Sequence, residues 1–272
     1  MSSTAGDEHA PRRAAVLGSP ITHSRSPQLH LAAYRALGLT DWTYERIECT
    51  ADELAGLVGG FGPEWVGVSV TMPAKFAALR FAEDRTARAE LVGSANTLVR
   101  TASGWRADNT DVDGVIGALG SVNGDAIVLG AGGTARAAVV ALGHLGVRRV
   151  TIVARDPARA EPLLALAARV GVHARWQHFT AAGVAEEAAA AAAVISTIPA
   201  EAAAGQRGVF ARAPLLLDAV YDPWPTPLAA AVTAAGGTAI SGLQMLLHQA
   251  FAQVEQFTGR PAPKAAMRAA LA

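Results

Sequence analysis

Ser24 and Ser26 sit two residues apart in "THSRSP", so two hydroxyls stand side by side directly after the short apolar run "AVLG". Three further polar clusters interrupt apolar runs nearby: "SVTMPAK" with Thr71 and Lys75, "GSANT" with Asn96 and Thr97, and "DNTD" with Asn109 and Asp111. Hydroxyl, amide and carboxylate side chains recognise hydroxyl groups, whereas a lysine can hold a carboxylate or move a proton. A ketone that receives a hydride becomes an alkoxide and must be protonated. A lysine beside that oxygen serves as general acid, runs in reverse as base, or holds its proton and polarises the oxygen. Any one of these clusters alone is what a turn or helix cap requires. Their joint occurrence beside a nucleotide turn points to a site.

That turn is Gly130-Ala131-Gly132-Gly133-Thr134-Ala135, which follows the apolar run "DAIVL" and opens a helical stretch. It matches the G-x-G-x-x-G/A dinucleotide pattern in its required context: glycines for a tight turn and close backbone approach, and free N–H groups at a helix start to meet a pyrophosphate. The end of the next strand, "TIVARDPAR", carries Arg155, with Arg159 one helical turn on. Two guanidiniums suit a ribose 2′-phosphate and hence NADP, whereas Asp156 turned toward the ribose would favour NAD.

The elements that must position these residues alternate along the chain. Up to about Arg106, strand-like runs ("AAVLG", "WTYERIE", "WVGVSV", "NTLVR") interleave with helical ones ("SPQLHLAAYRALG", "ADELAGLVGG", "AKFAALRFAE"), the pattern of βαβ units. Ser26 before Pro27 reads as a capping helix start. A second βα series begins after Asn123-Gly124 and describes a doubly wound sheet of five or six strands, and "NTDVDGVIGALG" between the series reads as a linking helix. In "LQMLLHQAFAQVEQFTG" the apolar residues 243, 246, 247, 250, 251 and 254 lie on one helix face, expected to pack back on the first domain. The fold expected is therefore α/β: a substrate and catalytic domain over 1–110 with 241–272 returning to it, and a Rossmann-like nucleotide domain over 111–240.

Taken together, "HSRSP", "TMPAK", "ANT", "NTD", "GAGGTARA", "VYDPWPTPL" and "SGLQMLLHQA" resemble, in order and from Arg13 to the last helix, the shikimate dehydrogenase family. The resemblance implies a cytoplasmic enzyme of aromatic amino-acid (chorismate) biosynthesis that reversibly reduces 3-dehydroshikimate to shikimate with NADP. It implies that Ser24 and Ser26 bind the substrate carboxylate, with Tyr221 adding a hydroxyl nearby, and that Thr71, Asn96, Asp111 and Gln249 contact the ring hydroxyls. Lys75 and Asp111 form its catalytic pair, and Thr197 and Gly242 join the glycine turn and the arginines as cofactor contacts. The chain departs from the family's usual residues at Ser19, Ala74, Ala154 and Asp222. A quinate/shikimate dehydrogenase of broad specificity using NAD, and a non-catalytic NADP-sensing protein, are the competing readings; the intact Lys75, Asn96 and Asp111 speak against the second.

Other classes fit less well. The 272 residues carry 23 Lys plus Arg against 23 Asp plus Glu, a formal charge of zero, so no overall field favours nucleic acid or an anionic membrane. Although 51% of the residues are hydrophobic, alanine runs inflate the figure and no stretch reads as a membrane span. The N-terminus reads as a short floppy tail without a signal-peptide core. Cys49, the single cysteine, allows no internal disulfide, and seven scattered histidines lack zinc-ligand spacing, so no metal is expected. No tyrosine is followed four residues on by lysine, which disfavours the short-chain dehydrogenase mechanism. The expected partner is a small molecule, and the chain a monomer or homodimer.

Overall fold

A computed structural model describes residues 11–271. The N-terminal tail expected from the sequence lies largely outside them. The chain divides into two compact units, residues 1–110 with 250–272 and residues 111–249. The return to the first unit thus falls inside the long C-terminal helix and not at the 240/241 boundary expected.

The first unit contains β1 (Arg13–Gly18), α1 (Ser26–Ala36), β2 (Thr43–Glu48), α2 (Leu54–Gly59), β3 (Trp65–Val70), α3 (Lys75–Phe81), β4 (Asp84–Arg85), α4 (Ala87–Val92), β5 (Thr97–Thr101) and β6 (Gly104–Asp108). Its sheet has the order β2-β1-β3-β5-β6-β4. β1 and β3 are buried almost throughout, as central strands covered on both faces must be, whereas the edge strand β2 buries only Tyr44. The strand period of two sorts the core. Ala15, Leu17, Val68 and Leu98 pack with Leu54, Val58 and Ala78 of α2 and α3 on one face. Ala14, Val16, Tyr34, Tyr44, Val99 and Phe257 pack on the other. β5 runs antiparallel to both β3 and β6. The short elements β4 and α4 and the strand β6 were not foreseen.

The second unit contains α5 (Asp111–Leu119), β7 (Ala126–Leu129), α6 (Gly133–His144), β8 (Arg149–Val153), α7 (Pro157–Arg169), β9 (His173–Gln177), α8 (Val184–Ala190), β10 (Ala193–Ser196), α9 (Ala200–Ala204), α10 (Arg207–Phe210), β11 (Leu215–Asp218), α11 (Pro227–Ala234) and β12 (Thr238–Ser241). Its six strands are all parallel in the order β12-β11-β10-β7-β8-β9. This is the doubly wound arrangement, whose winding reverses between β7 and β10. α12 (Gly242–Thr258) begins here and continues into the first unit, and α13 (Lys264–Ala269) follows against α1.

Candidate active site

Strand direction gathers the polar clusters of the first unit at one edge of its sheet. Leu17 pairs with Val70, Ser69 with Thr97, and Thr97 with Asp108. The C-terminal ends of β1, β3 and β6 therefore line up with the N-terminal end of the reversed β5. Ser24 and Ser26 follow β1, Thr71 and Lys75 follow β3, Asn96 precedes β5, and Asn109 follows β6. Backbone bonds fix the junctions: Thr71 N–H donates to Leu17 O at 2.8 Å, Ala95 N–H to Lys75 O at 3.0 Å, Val70 N–H to Asn96 O at 2.7 Å and Asn96 N–H to Asp108 O at 3.1 Å. Gly18 is required here, because a Cβ would strike Thr71 Cγ2 and lie 2.9 Å from Met72 O.

The serine pair differs from expectation in one respect. Ser26 does not cap α1; Arg25 is its N-cap residue without a side-chain cap bond, and Pro27 occupies the first turn. The proline supplies the preset φ and lacks the N–H that a cap would have to satisfy, so Ser26 is released from capping. Ser26 N–H instead donates to Ser24 Oγ at 3.3 Å, and Arg46 Nε holds Ser24 O at 2.7 Å. Both serines are buried.

Lys75 is the first residue of α3 and is half-buried. A cation at a helix N-terminus faces the positive end of the dipole, costing about 0.3–1 kcal/mol. Helix stability is thus no reason for lysine at this position. Asn96 is buried, with Oδ1 accepting from Thr110 N–H at 2.7 Å and Nδ2 donating to Thr110 Oγ1 at 3.0 Å.

In the second unit the registers align Ser241, Asp218, Ser196, Leu129 and Val153 across the C-terminal edge of the sheet. The glycine turn leaves β7 where the winding reverses. Gly130 has φ +107°, and a Cβ there would lie 2.6 Å from Thr197 Oγ1, so glycine alone lets the turn close on β10. Thr197 secures it by donating to Leu129 O at 2.7 Å. Gly132 is the N-cap of α6 with no side-chain cap, no acid follows in the first turn, and a Cβ on Gly132 would meet nothing within 4 Å. Open space above uncapped N–H groups is what a phosphate needs.

Arg155 and Arg159 are both exposed, just past the end of β8. Asp156 is committed elsewhere: it caps α7, its Oδ1 accepting from Ala158 N–H at 2.9 Å. Gly242 opens α12, where a Cβ would collide with Ala219 O. Asp111 and Gln249 are buried, on α5 and α12, and a Cβ on Gly114 would lie 3.2 Å from Gln249 Cβ. Tyr221, half-buried, lies in the loop after β11.

Several contributors escaped the sequence reading. Tyr44, Ser69, Thr110 and Gln253 form a buried network around Asn96. Asp218 anchors the Tyr221 loop at both ends, accepting from Val220 N–H at 3.2 Å and Thr226 Oγ1 at 2.7 Å. Burial raises its pKa against those bonds. Gln253 stands four residues after Gln249 on α12, a spacing that puts both on one helix face, and this was the one signal visible in the sequence.

A mixed sheet edged by hydroxyls, an amide and a lysine, together with a parallel sheet bearing a glycine turn at its reversal point, defines a dinucleotide-dependent dehydrogenase acting on a polyhydroxylated substrate. Residues 16–98 match the shikimate dehydrogenase substrate binding domain, and residues 242–272 the shikimate 5′-dehydrogenase C-terminal domain. The structure of shikimate dehydrogenase from Mycobacterium tuberculosis is similar at 70% identity and TM-score 0.93, over 96% of this chain and 99% of that one. That of shikimate 5-dehydrogenase from Thermus thermophilus in complex with NADP(H) and shikimate is similar at 29% identity and TM-score 0.78, over 95% of this chain and 98% of that one. Shikimate dehydrogenase (NADP(+)) of Salinibacter ruber is 36% identical over 94% of this chain and 95% of its own length. The chain belongs to the shikimate dehydrogenase family.

Proposed function

We infer that this chain is a shikimate dehydrogenase, an NADP-dependent oxidoreductase that interconverts 3-dehydroshikimate and shikimate. The observation that carries the reading is the alignment of Ser24, Ser26, Thr71, Lys75 and Asn96 along one sheet edge. A small ring bearing a carboxylate at one end and hydroxyls at the other needs this set of donors and acceptors.

The residues of the second unit fit NADP: the open space over Gly132, the uncapped start of α6, and two exposed arginines whose neighbouring acid is engaged in capping. Gly130 to Ala135 would hold the pyrophosphate, Arg155 and Arg159 the 2′-phosphate, and Thr197 and Gly242 would border the nicotinamide side. When bound, the nicotinamide supplies or accepts the hydride. Ser24 and Ser26 bind the carboxylate by hydroxyl donation, helped by Tyr221. Thr71, Asn96, Asp111 and Gln249 take the ring hydroxyls. Lys75 gives the carbonyl oxygen its proton as the alkoxide forms and removes it in the reverse direction, with Asp111 as its catalytic partner.

Purified protein offered shikimate or quinate, each with NADP or NAD, tests the reading by absorbance of the reduced cofactor. Turnover is expected with shikimate and NADP. Protein that binds NADP yet turns over nothing in any combination overturns the assignment. The substrate is a small molecule, and no helix among the described residues is long and apolar enough to cross a membrane. A cytoplasmic location and a monomeric or homodimeric state complete the proposal.

A further inference from the structure

Gln253 of α12 has no exposed surface, although a buried amide left unpaired costs about 1–3 kcal/mol. Both ends of its amide are used. Oε1 accepts from Ser69 Oγ at 2.7 Å, and Nε2 donates to Asn96 O at 3.1 Å and to Thr97 Oγ1 at 2.9 Å.

Donor counting gives the network a direction. Ser69 spends its single hydrogen on Gln253, so the 2.6 Å bond between Tyr44 and Ser69 is donated by Tyr44. Tyr44 in turn stacks on His30 at 4.0 Å between ring centroids, and His30 stands four residues after Ser26 on α1. At the other end, Thr97 accepts from Gln253 and turns its own hydrogen to Asn96 Oδ1 at 2.9 Å. That oxygen also receives the Thr110 N–H, which can only donate, so the oxygen and nitrogen of the Asn96 amide cannot exchange places. The hydrogen-bonded relay therefore runs from Tyr44 to the Asn96 amide with Gln253 in its middle, and the Tyr44 ring packs on the helix that carries Ser26.

We propose that Gln253 is a positioning residue, holding the Asn96 backbone carbonyl and the Thr97 hydroxyl that bonds the Asn96 amide and, through Ser69 and Tyr44, the helix that carries Ser26, so that the hydroxyl and carboxylate ends of the substrate are held at the correct separation. This rests on the shikimate dehydrogenase reading. A small rigid ring gripped at both ends is sensitive to sub-ångström error at either one.

Gln253→Met keeps the volume and removes the polar atoms; Ser69→Ala cuts the relay at one link and serves if Gln253→Met does not fold. Phe257→Leu, one helical turn on and in the apolar core, is the stability control. In full-length enzyme Gln253→Met is expected to raise the KM for shikimate about tenfold, with kcat and the KM for NADP within twofold of wild type. Ser69→Ala should raise the same KM by less, and the double variant should be no worse than Gln253→Met alone. Phe257→Leu should lower Tm while leaving both KM values in place. An unmoved shikimate KM in Gln253→Met, or an equal rise in Phe257→Leu, overturns the proposal. Wild-type protein without shikimate turnover overturns the reading beneath it instead.

Discussion

At the residue scale, the proposed site separates groups assigned to the substrate from groups assigned to the cofactor. Lys75 sits where the helix dipole disfavours a cation, so helix stability does not account for it, in keeping with the proton transfer proposed for it. Lys75→Ala is expected to lower kcat roughly a hundred- to ten-thousandfold, the usual contribution of a positioned general acid or base, with the KM for NADP unchanged. Steady-state rates in both reaction directions check this, and a fall of less than tenfold would remove Lys75 from the proton path. Arg155 and Arg159 are exposed, and Asp156 is held by Ala158 N–H. A hydrogen bond to a charged group is worth about 1.5–3 kcal/mol, or roughly ten- to a hundredfold in affinity. Arg155→Ala should therefore raise the KM for NADP by about that factor and leave NAD turnover in place. Equal loss with both cofactors would mean that the guanidinium does not read the 2′-phosphate.

At the element scale, one glycine turn closes on β10 and is proposed to hold the pyrophosphate, two tasks that substitution can separate. Gly130 must be glycine for the fold: its φ is +107° and Thr197 Oγ1 stands 2.6 Å from where a Cβ would be. Gly130→Ala should lower Tm, since a left-handed non-glycine residue costs on the order of 1–3 kcal/mol before any clash is counted. Gly132 is different, with φ −93° and nothing within 4 Å of an added Cβ. Gly132→Ala should fold with unchanged Tm and still raise the KM for NADP severalfold, because its methyl occupies the space over the uncapped N–H groups. Thermal melts beside kinetics decide, and an unchanged KM would place the pyrophosphate elsewhere. The same elements show what the sequence made legible. β1, β3, β7 and β10 are mainly apolar runs, and the turns after β1 and β3 carry polar residues with no solubilising reason to be there. β6 was hidden because Asp108 in "GWRAD" reads as surface, whereas Arg88, Thr86 and Gln256 satisfy it in the interior. β4 has two residues and α4 six, too short for any period to register. The Asn96 relay was hidden for a related reason. A Tyr on a strand, a Ser on a strand and a Gln on a helix look ordinary until the register of β2, β1 and β3 and the docking of α12 bring them together.

At the scale of the whole molecule, the first unit encloses a titratable group that makes its stability depend on pH. His30 is fully buried, stacked on Tyr44 at 4.0 Å between centroids and near the rings of Tyr34 and Phe257. Burial lowers its pKa from 6.5 to about 3. The native state therefore refuses a proton that the unfolded chain accepts, so stability is full above pH 6.5 and falls as the pH drops from there toward 3. The slope is at most about 1.4 kcal/mol per pH unit, which gives on the order of 2.7 kcal/mol between pH 7.5 and 4.5. Asp108 acts in the same direction in a lower window. Burial raises its pKa, but the Arg88 pair, Thr86 and the Asn109 N–H outweigh that and leave it below the ordinary 3.8, so its stabilisation is lost only as the pH falls through the carboxylate range. Urea unfolding at pH 7.5, 6.0 and 4.5 isolates the histidine. The midpoint for the first unit should fall steadily across this series in the wild type and stay nearly level in His30→Phe, whose ring keeps the aromatic stack without a titrating nitrogen. A wild-type midpoint that does not move, or a His30→Phe midpoint that falls as steeply, would show that the acid sensitivity of this unit lies elsewhere than in the aromatic cluster behind Ser26.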